Sequence, residues 1–105
     1  MVTLIILIPQ SYGIYKKLRN KEIVILEVGV SHGGSLQMWK NYFGEKAKIY
    51  GIEVNPNAKE VEEDQIEIFI GSQSDRKFLR SIKQKLPQID ILRAFKILIT
   101  YILKF

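Results

Sequence analysis

A chain of 105 residues with 47% hydrophobic side chains is long enough for one small domain with its own core and too short for two. Cysteine is absent, which excludes a disulfide framework and any thiolate metal site, and 16 Lys and Arg against 11 Asp and Glu leave a net charge of +5. The cations are scattered, Lys16, Lys17, Arg19 and Lys21 being the densest group, so a solvated basic surface is expected and no specific nucleic-acid recognition.

Two apolar runs, Val2 to Ile8 and Ile97 to Leu103, each reach about a third of the ~20 residues of a membrane helix, so no membrane span is expected. The first has no basic leader and no small-residue cleavage site and stops at Pro9, which argues against a secretory signal and for a soluble, cytoplasmic protein. From Ile23 to Val28 only Glu27 interrupts the apolar residues, as in a strand covered on both faces, and a central position is predicted. A glycine-rich turn, Gly29 to Ser35, follows. Leu36, Trp39 and Phe43 then recur at helical spacing until Gly44, and Trp39, Tyr42 and Phe43 are expected to pack in the core.

The pattern repeats with a strand from Lys48 to Val54, Asn55 as N-cap, Pro56 at the first helical position and a short helix to about Glu63. The acidic residues Glu60, Glu62, Glu63 and Asp64 read as solvated charge. In a third strand, Gln65 to Ile70, Ile66, Ile68 and Ile70 alternate with polar residues except at Phe69, which predicts an edge position. Ser74 is placed to cap a helix whose face is Phe78, Leu79, Ile82 and Leu86 and which Pro87 stops; a fourth strand spans Ile89 to Leu92. Strands alternating with helices give an α/β fold with a parallel sheet, predicted order 3-2-1-4, flanked by helices.

The turn lies where a strand becomes a helix, and small residues there let a ligand approach the backbone. Glu53 closes the next strand 19 residues after Gly34, where a carboxylate can accept hydrogen bonds from both hydroxyls of a ribose. The glycine spacing departs from G-x-G-x-x-G, and G-x-x-x-x-G-K-[ST] is missing, so a tightly held pyrophosphate or triphosphate is disfavoured. Glu27 beside the turn suits a ligand with a charged amine. S-adenosylmethionine, with an amine, a sulfonium and a ribose, fits two carboxylates flanking a small-residue loop better than a nucleotide phosphate does; a purely structural turn is the alternative. His32 reads as a polar loop residue with no metal assigned to it.

Three segments carry a family resemblance: ILEVGVSHGGS from Ile25, IYGIE from Ile49 and IFIGSQSD from Ile68. Ile25 to Asp90, about two thirds of the chain, resembles the class I S-adenosylmethionine-dependent methyltransferases, especially the macrocin and mycinamicin sugar O-methyltransferases and cephalosporin-hydroxylase-like proteins. The resemblance implies a partial Rossmann-like fold with a family-like core over 22–92 and atypical ends at 1–20 and 93–105. It implies that Glu27, Gly29, Ser31 and Gly33 border the methionine portion of S-adenosylmethionine, that Glu53 holds the ribose, and that Ser72 and Gln73 lie near adenine. Position 72 is usually acidic in such sequences, and here it is serine.

The family continues its fourth strand into Asp-Asp-Gly-Ser-His, which supplies magnesium ligands and a catalytic base; here Ile91 to Lys96 reads ILRAFK. Without paired carboxylates a divalent cation lacks hard oxygen ligands, and His32 is the single histidine. Since such enzymes need roughly twice this length, the chain reads as a truncated N-terminal half, able to hold the cofactor and incompetent in catalysis alone. An amphipathic tail, Leu92 to Phe105, is expected to cover the sheet. The competing reading is an association module or one part of a split methyltransferase, self-associating through an exposed sheet edge; a nucleotide-binding oxidoreductase fragment is a third.

Overall fold

A computed structural model describes residues 16–30, 33–86 and 88–93. The apolar run after Ile23 forms strand β1, Val24–Val28, buried at Ile25, Leu26, Glu27 and Val28. Its central position follows from its neighbours. It pairs in parallel with β2, Lys48–Glu53, on one side and with β4, Ile91–Arg93, on the other. Strand β3, Ile66–Ile70, pairs in parallel with β2, so the order is β3-β2-β1-β4, as the sequence predicts.

Alternation along β1 divides the core in two. Ile23 and Ile25 face helix α1, Gly34–Phe43, whose Leu36, Trp39 and Phe43 pack with Ile49, Ile66, Ile68 and Ile91. Leu26 and Val28 face helix α2, Arg76–Lys85, and meet Leu79, Ile82 and Leu86 together with Ile52 and Leu92. Trp39 and Phe43 are buried, and Tyr42 is half-buried with its ring edge-on to Phe43 at 4.9 Å. Asp90 fastens β4 to the start of β1, because its Oδ2 accepts from Val24 N–H at 2.8 Å while its own N–H donates to the Val24 carbonyl at 2.8 Å.

Several local expectations change. The segment after β2 is a 3-10 helix, Pro56–Val61, that stops before Glu63; Asn55 caps it by accepting from Asn57 N–H at 3.0 Å. Asp75, not Ser74, caps α2, its carboxylate accepting from Phe78 N–H at 3.2 Å. Ser74 is engaged by Ser72, whose Oγ accepts from Ser74 N–H at 3.1 Å. β4 begins at Ile91 rather than Ile89, which is buried just before it. Phe69 breaks the alternation of β3 because it stacks on Tyr50, 5.8 Å between ring centroids, under the Lys85 ammonium.

The acidic segment does more than hydrate the surface. Glu62 Oε2 accepts from Ile68 N–H at 2.9 Å, and Glu63 exchanges backbone hydrogen bonds with Ile66, so the outer edge of β3 is occupied at two residues. The Glu63 carboxylate is held in turn by Lys40 and Gln37 of α1. An edge strand presents unpaired backbone groups to any other strand, and inward-reaching charge blocks such pairing. Among the described residues no helix is long and apolar enough to cross a membrane. The apolar runs at 2–8 and 97–103, the tail beyond Arg93 and the Pro87 stop lie outside the described residues.

Hydrogen bonding by Ile68 N–H, then by Lys59, holds Glu62 below the ordinary glutamate value of 4.5, and hydrogen bonds from Lys40 and Gln37 do the same for Glu63. A depressed folded pKa means that the unfolded chain binds more protons, so this stabilisation is complete above the unfolded value and is lost as pH falls through the folded one. The thermal midpoint is therefore expected to hold steady from pH 7 to about 5 and to fall progressively below about 4.5, less steeply in Glu62→Gln. Calorimetric scans across pH 3 to 7 check this, and a midpoint indifferent to acid would contradict it.

Candidate functional site at the carboxyl ends of the strands

The turn after β1 is shaped by two glycines in the left-handed region. Gly29 has φ 86° and donates its N–H to the Ile52 carbonyl at 2.9 Å, tying the end of β1 to β2. A Cβ at Gly29 would meet no heavy atom within 4 Å, so the backbone there borders open space. Gly33 has φ 80° and is packed, since a Cβ on it would lie 2.8 Å from Val61 Cγ1. Gly51 serves the same corner from below. Any side chain at position 51 would collide with Val30 and Ile68, so the turn settles onto β2 only because residue 51 is glycine.

Between β1, β2 and the β3–α2 connection lies a crevice of about 280 Å³, lined by Val28, Gly29, Ile52, Glu53, Val54, Gly71, Ser72, Gln73 and Ser74. Its floor is apolar, from the two strand ends Val28 and Ile52. Val54 stands on its wall with 62% of its surface exposed, an apolar side chain left open to solvent. Glu53 supplies the carboxylate, and its Oε2 accepts from Asn55 N–H at 3.0 Å, which fixes one side of the group. Opposite, the Ser72 and Ser74 hydroxyls lie 2.7 Å apart. Gly71 N–H donates to the Glu53 carbonyl at 3.0 Å, holding the β3–α2 connection against the end of β2.

The register sets Glu27 opposite Gly51 and Val28 opposite Ile52, so Glu27 and Glu53 occupy the same end of adjacent parallel strands. Only Glu53 lines the crevice. Glu27 is fully buried on the α1 side, where Ser35 Oγ donates to its two oxygens at 2.9 and 2.7 Å. Of the residues expected from sequence, Gly29, Glu53, Ser72 and Gln73 come together around the opening. Gly33 lies behind it beneath Val61, and Ser31, with His32, lies outside the described residues. Val28, Ile52, Val54, Gly71 and Ser74 were not anticipated as lining. The period-2 alternation could have found the first two, since paired residues at the ends of adjacent strands share a face. Ser35 was legible only as part of the small-residue run.

The described residues hold no group of three or more His, Cys, Asp or Glu side chains placed to bind a metal ion. No chemistry here is routed through the magnesium that the family resemblance implies. An adenosyl ligand does fit the opening: a carboxylate at its rim, apolar walls, and a backbone at Gly29 that a Cβ would otherwise occupy.

No family model matches the chain. It is 33% identical over 84 residues to the 8-demethyl-8-(2-methoxy-alpha-L-rhamnosyl)-tetracenomycin-C 3'-O-methyltransferase of Streptomyces olivaceus and, equally, to the mycinamicin VI 2''-O-methyltransferase of Micromonospora griseorubida. Each match covers 73% of this chain and 21% of the relative, so the chain spans about a fifth of the length of these curated relatives. Among solved structures, the MycE methyltransferase from the mycinamycin biosynthetic pathway, in complex with Mg and SAH, superposes with a TM-score of 0.77 at 30% identity, covering 91% of this chain and 27% of that one.

Substituting Gly33 tests the turn. Gly33→Ala adds left-handed strain to a clash with Val61 and is expected to cost about 2–4 kcal/mol in denaturant unfolding. Gly29→Ala, with strain alone, is expected to cost about 1 kcal/mol. Equal losses at the two glycines would contradict this packing.

Proposed function

We propose that the chain belongs with the class I S-adenosylmethionine-dependent methyltransferases, beside their sugar O-methyltransferases, and that it is the cofactor-binding part of such an enzyme, a reading supported by its likeness to them in sequence and fold. The observation that carries this reading is the position of Glu53, a carboxylate at the end of β2 on the rim of an apolar crevice faced by the bare backbone of Gly29. A carboxylate has about four acceptor sites, enough to take both vicinal hydroxyls of a ribose while Oε2 keeps Asn55 N–H. Val54 offers an apolar surface to the adenine ring, and Ser72 and Gln73 offer polar groups to its edge. Gly29 borders the methionine portion, with Glu27 beneath the end of β1.

When bound, S-adenosylmethionine supplies a methyl group on a positively charged sulfur. The residues of this chain bind and orient that ligand. On this reading they do not complete the transfer by themselves, since Ile91 and Leu92 are apolar where the family's carboxylates would begin. The proposed parent reaction is O-methylation of a sugar or related natural product, with this segment binding cofactor and transferring nothing by itself.

Calorimetric titration with S-adenosylhomocysteine tests the reading. Binding is expected, and Glu53→Ala is expected to weaken it about ten- to a hundredfold, the worth of a charge-assisted hydrogen bond or two. No heat at ligand concentrations up to the millimolar range would discard it.

A further inference from the structure

Helix α2 carries Arg76, Lys77, Arg80, Lys83 and Lys85 among its ten residues, all five exposed and with no acid between them. Outside α2 the sequence holds as many acids as cations, eleven of each, so the whole net charge of +5 sits on this one helix. Its N-cap acid, Asp75, faces the helix start, where its carboxylate accepts from Phe78 N–H. Glu62 and Glu63 are tied to Lys59 and to Lys40, and Lys40 belongs to α1, which packs on the other face of the sheet. Among the described residues no carboxylate pairs with Lys77 or Lys83.

The sheet already covers the apolar face of α2, since Leu79 and Ile82 pack with Leu26, Val28, Ile52 and Leu92. A helix that lies on a membrane needs that face for the lipid. The exposed large apolar side chains of the described residues, Met38 of α1 and Val54 of the crevice wall, stand elsewhere. What α2 presents is charge at a fixed density. At a rise of about 1.5 Å per residue its cations follow one another at about one per 3 Å, and a nucleic-acid strand carries one negative charge per about 3.4 Å. Arg76, Arg80 and Lys83 recur at steps of four and three along one side, and an arginine fork matches the oxygens of a phosphate. At the end of the helix the Lys85 ammonium lies 5.6 Å from the Phe69 ring; Phe69 stacks on Tyr50, with Lys48 5.8 Å from the Tyr50 ring. Half-buried rings beside a cationic track suit a single strand, whose unpaired bases are free to stack, although Glu67, paired with Tyr50 across the strands, brings an acid to this end. We propose that the exposed face of α2 binds single-stranded nucleic acid through its phosphates, without sequence preference. No residue of α2 lines the crevice, so this stands apart from the cofactor reading.

Fluorescence anisotropy of a labelled oligouridylate of about 20 nucleotides, titrated with the full chain between about 20 and 200 mM salt, tests the proposal. Saturable binding is expected, with a Kd of about 1 to 100 µM at the lowest salt and a log–log salt slope of about −2 to −3.5, as for three to five phosphates. Arg76→Gln/Arg80→Gln/Lys83→Gln is expected to weaken binding about tenfold or more and to flatten the slope by about 2. Removing the same charge from the other dense basic group, by Lys16→Gln/Lys17→Gln/Lys21→Gln, is expected to change affinity less than about threefold. No binding at low salt, or equal losses from the two triple variants, overturns the proposal, the second because net charge alone would then be responsible. Phosphatidylserine vesicles or polyglutamate that compete as well as the oligonucleotide at equal charge also overturn it, as does tighter binding of a duplex of the same length. Should the α2 triple variant lose its thermal transition, Lys77→Gln/Lys83→Gln, which keeps both arginines, replaces it, with an expected loss of about threefold or more.

Discussion

The parallel pairing of β1 with β2 places everything that follows. Val28 stands opposite Ile52, and Gly29 N–H continues the pairing to the Ile52 carbonyl, so the chain leaves β1 in contact with its neighbour. That contact is possible because residue 51 is glycine: Val30 and Ile68 occupy the space a side chain would fill. A slip of one residue would turn Glu53 to the opposite face of the sheet and put Ile52 at the rim. The carboxylate that defines the site thus depends on a backbone register fixed by apolar packing several residues away.

The two acids at this end of the sheet illustrate how environment divides chemically identical groups. Glu53 is half-exposed at a strand end, braced by one backbone amide and facing an open crevice. Glu27 is enclosed between β1 and α1, with a serine hydroxyl across both of its oxygens. Burying a carboxylate is costly unless its hydrogen bonds are replaced, so an acid retained in such a place is held by the structure around it.

Much of this was written in the pattern of apolar residues. The unbroken run at β1 and the alternation at Ile66, Ile68 and Ile70 gave the central and edge positions, because coverage on two faces or one leaves a direct trace in sequence. Gly29 and Glu53 were legible as candidates from their places at the ends of strands, and Ser72 and Gln73 from the family resemblance; all four line the crevice. What escaped depends on side-chain direction. Ser74 and Asp75 are both good caps one residue apart, and only the turn that engages Ser74 with Ser72 decides between them. Glu62 read as surface charge, since nothing in a run of acids marks the one that folds back onto Ile68 N–H. Glu27 and Glu53 share one face of the sheet by register, and the sequence does not show that one is enclosed under α1 while the other is left at the rim.

The most direct measurement is a titration of the isotope-labelled chain with S-adenosylhomocysteine, followed by amide chemical shifts. The largest changes are expected at Gly29, Glu53, Val54, Ser72 and Gln73, with β3's outer edge at Glu62 and Ile68 unmoved. Changes centred elsewhere, or spread evenly over the sheet, would contradict it.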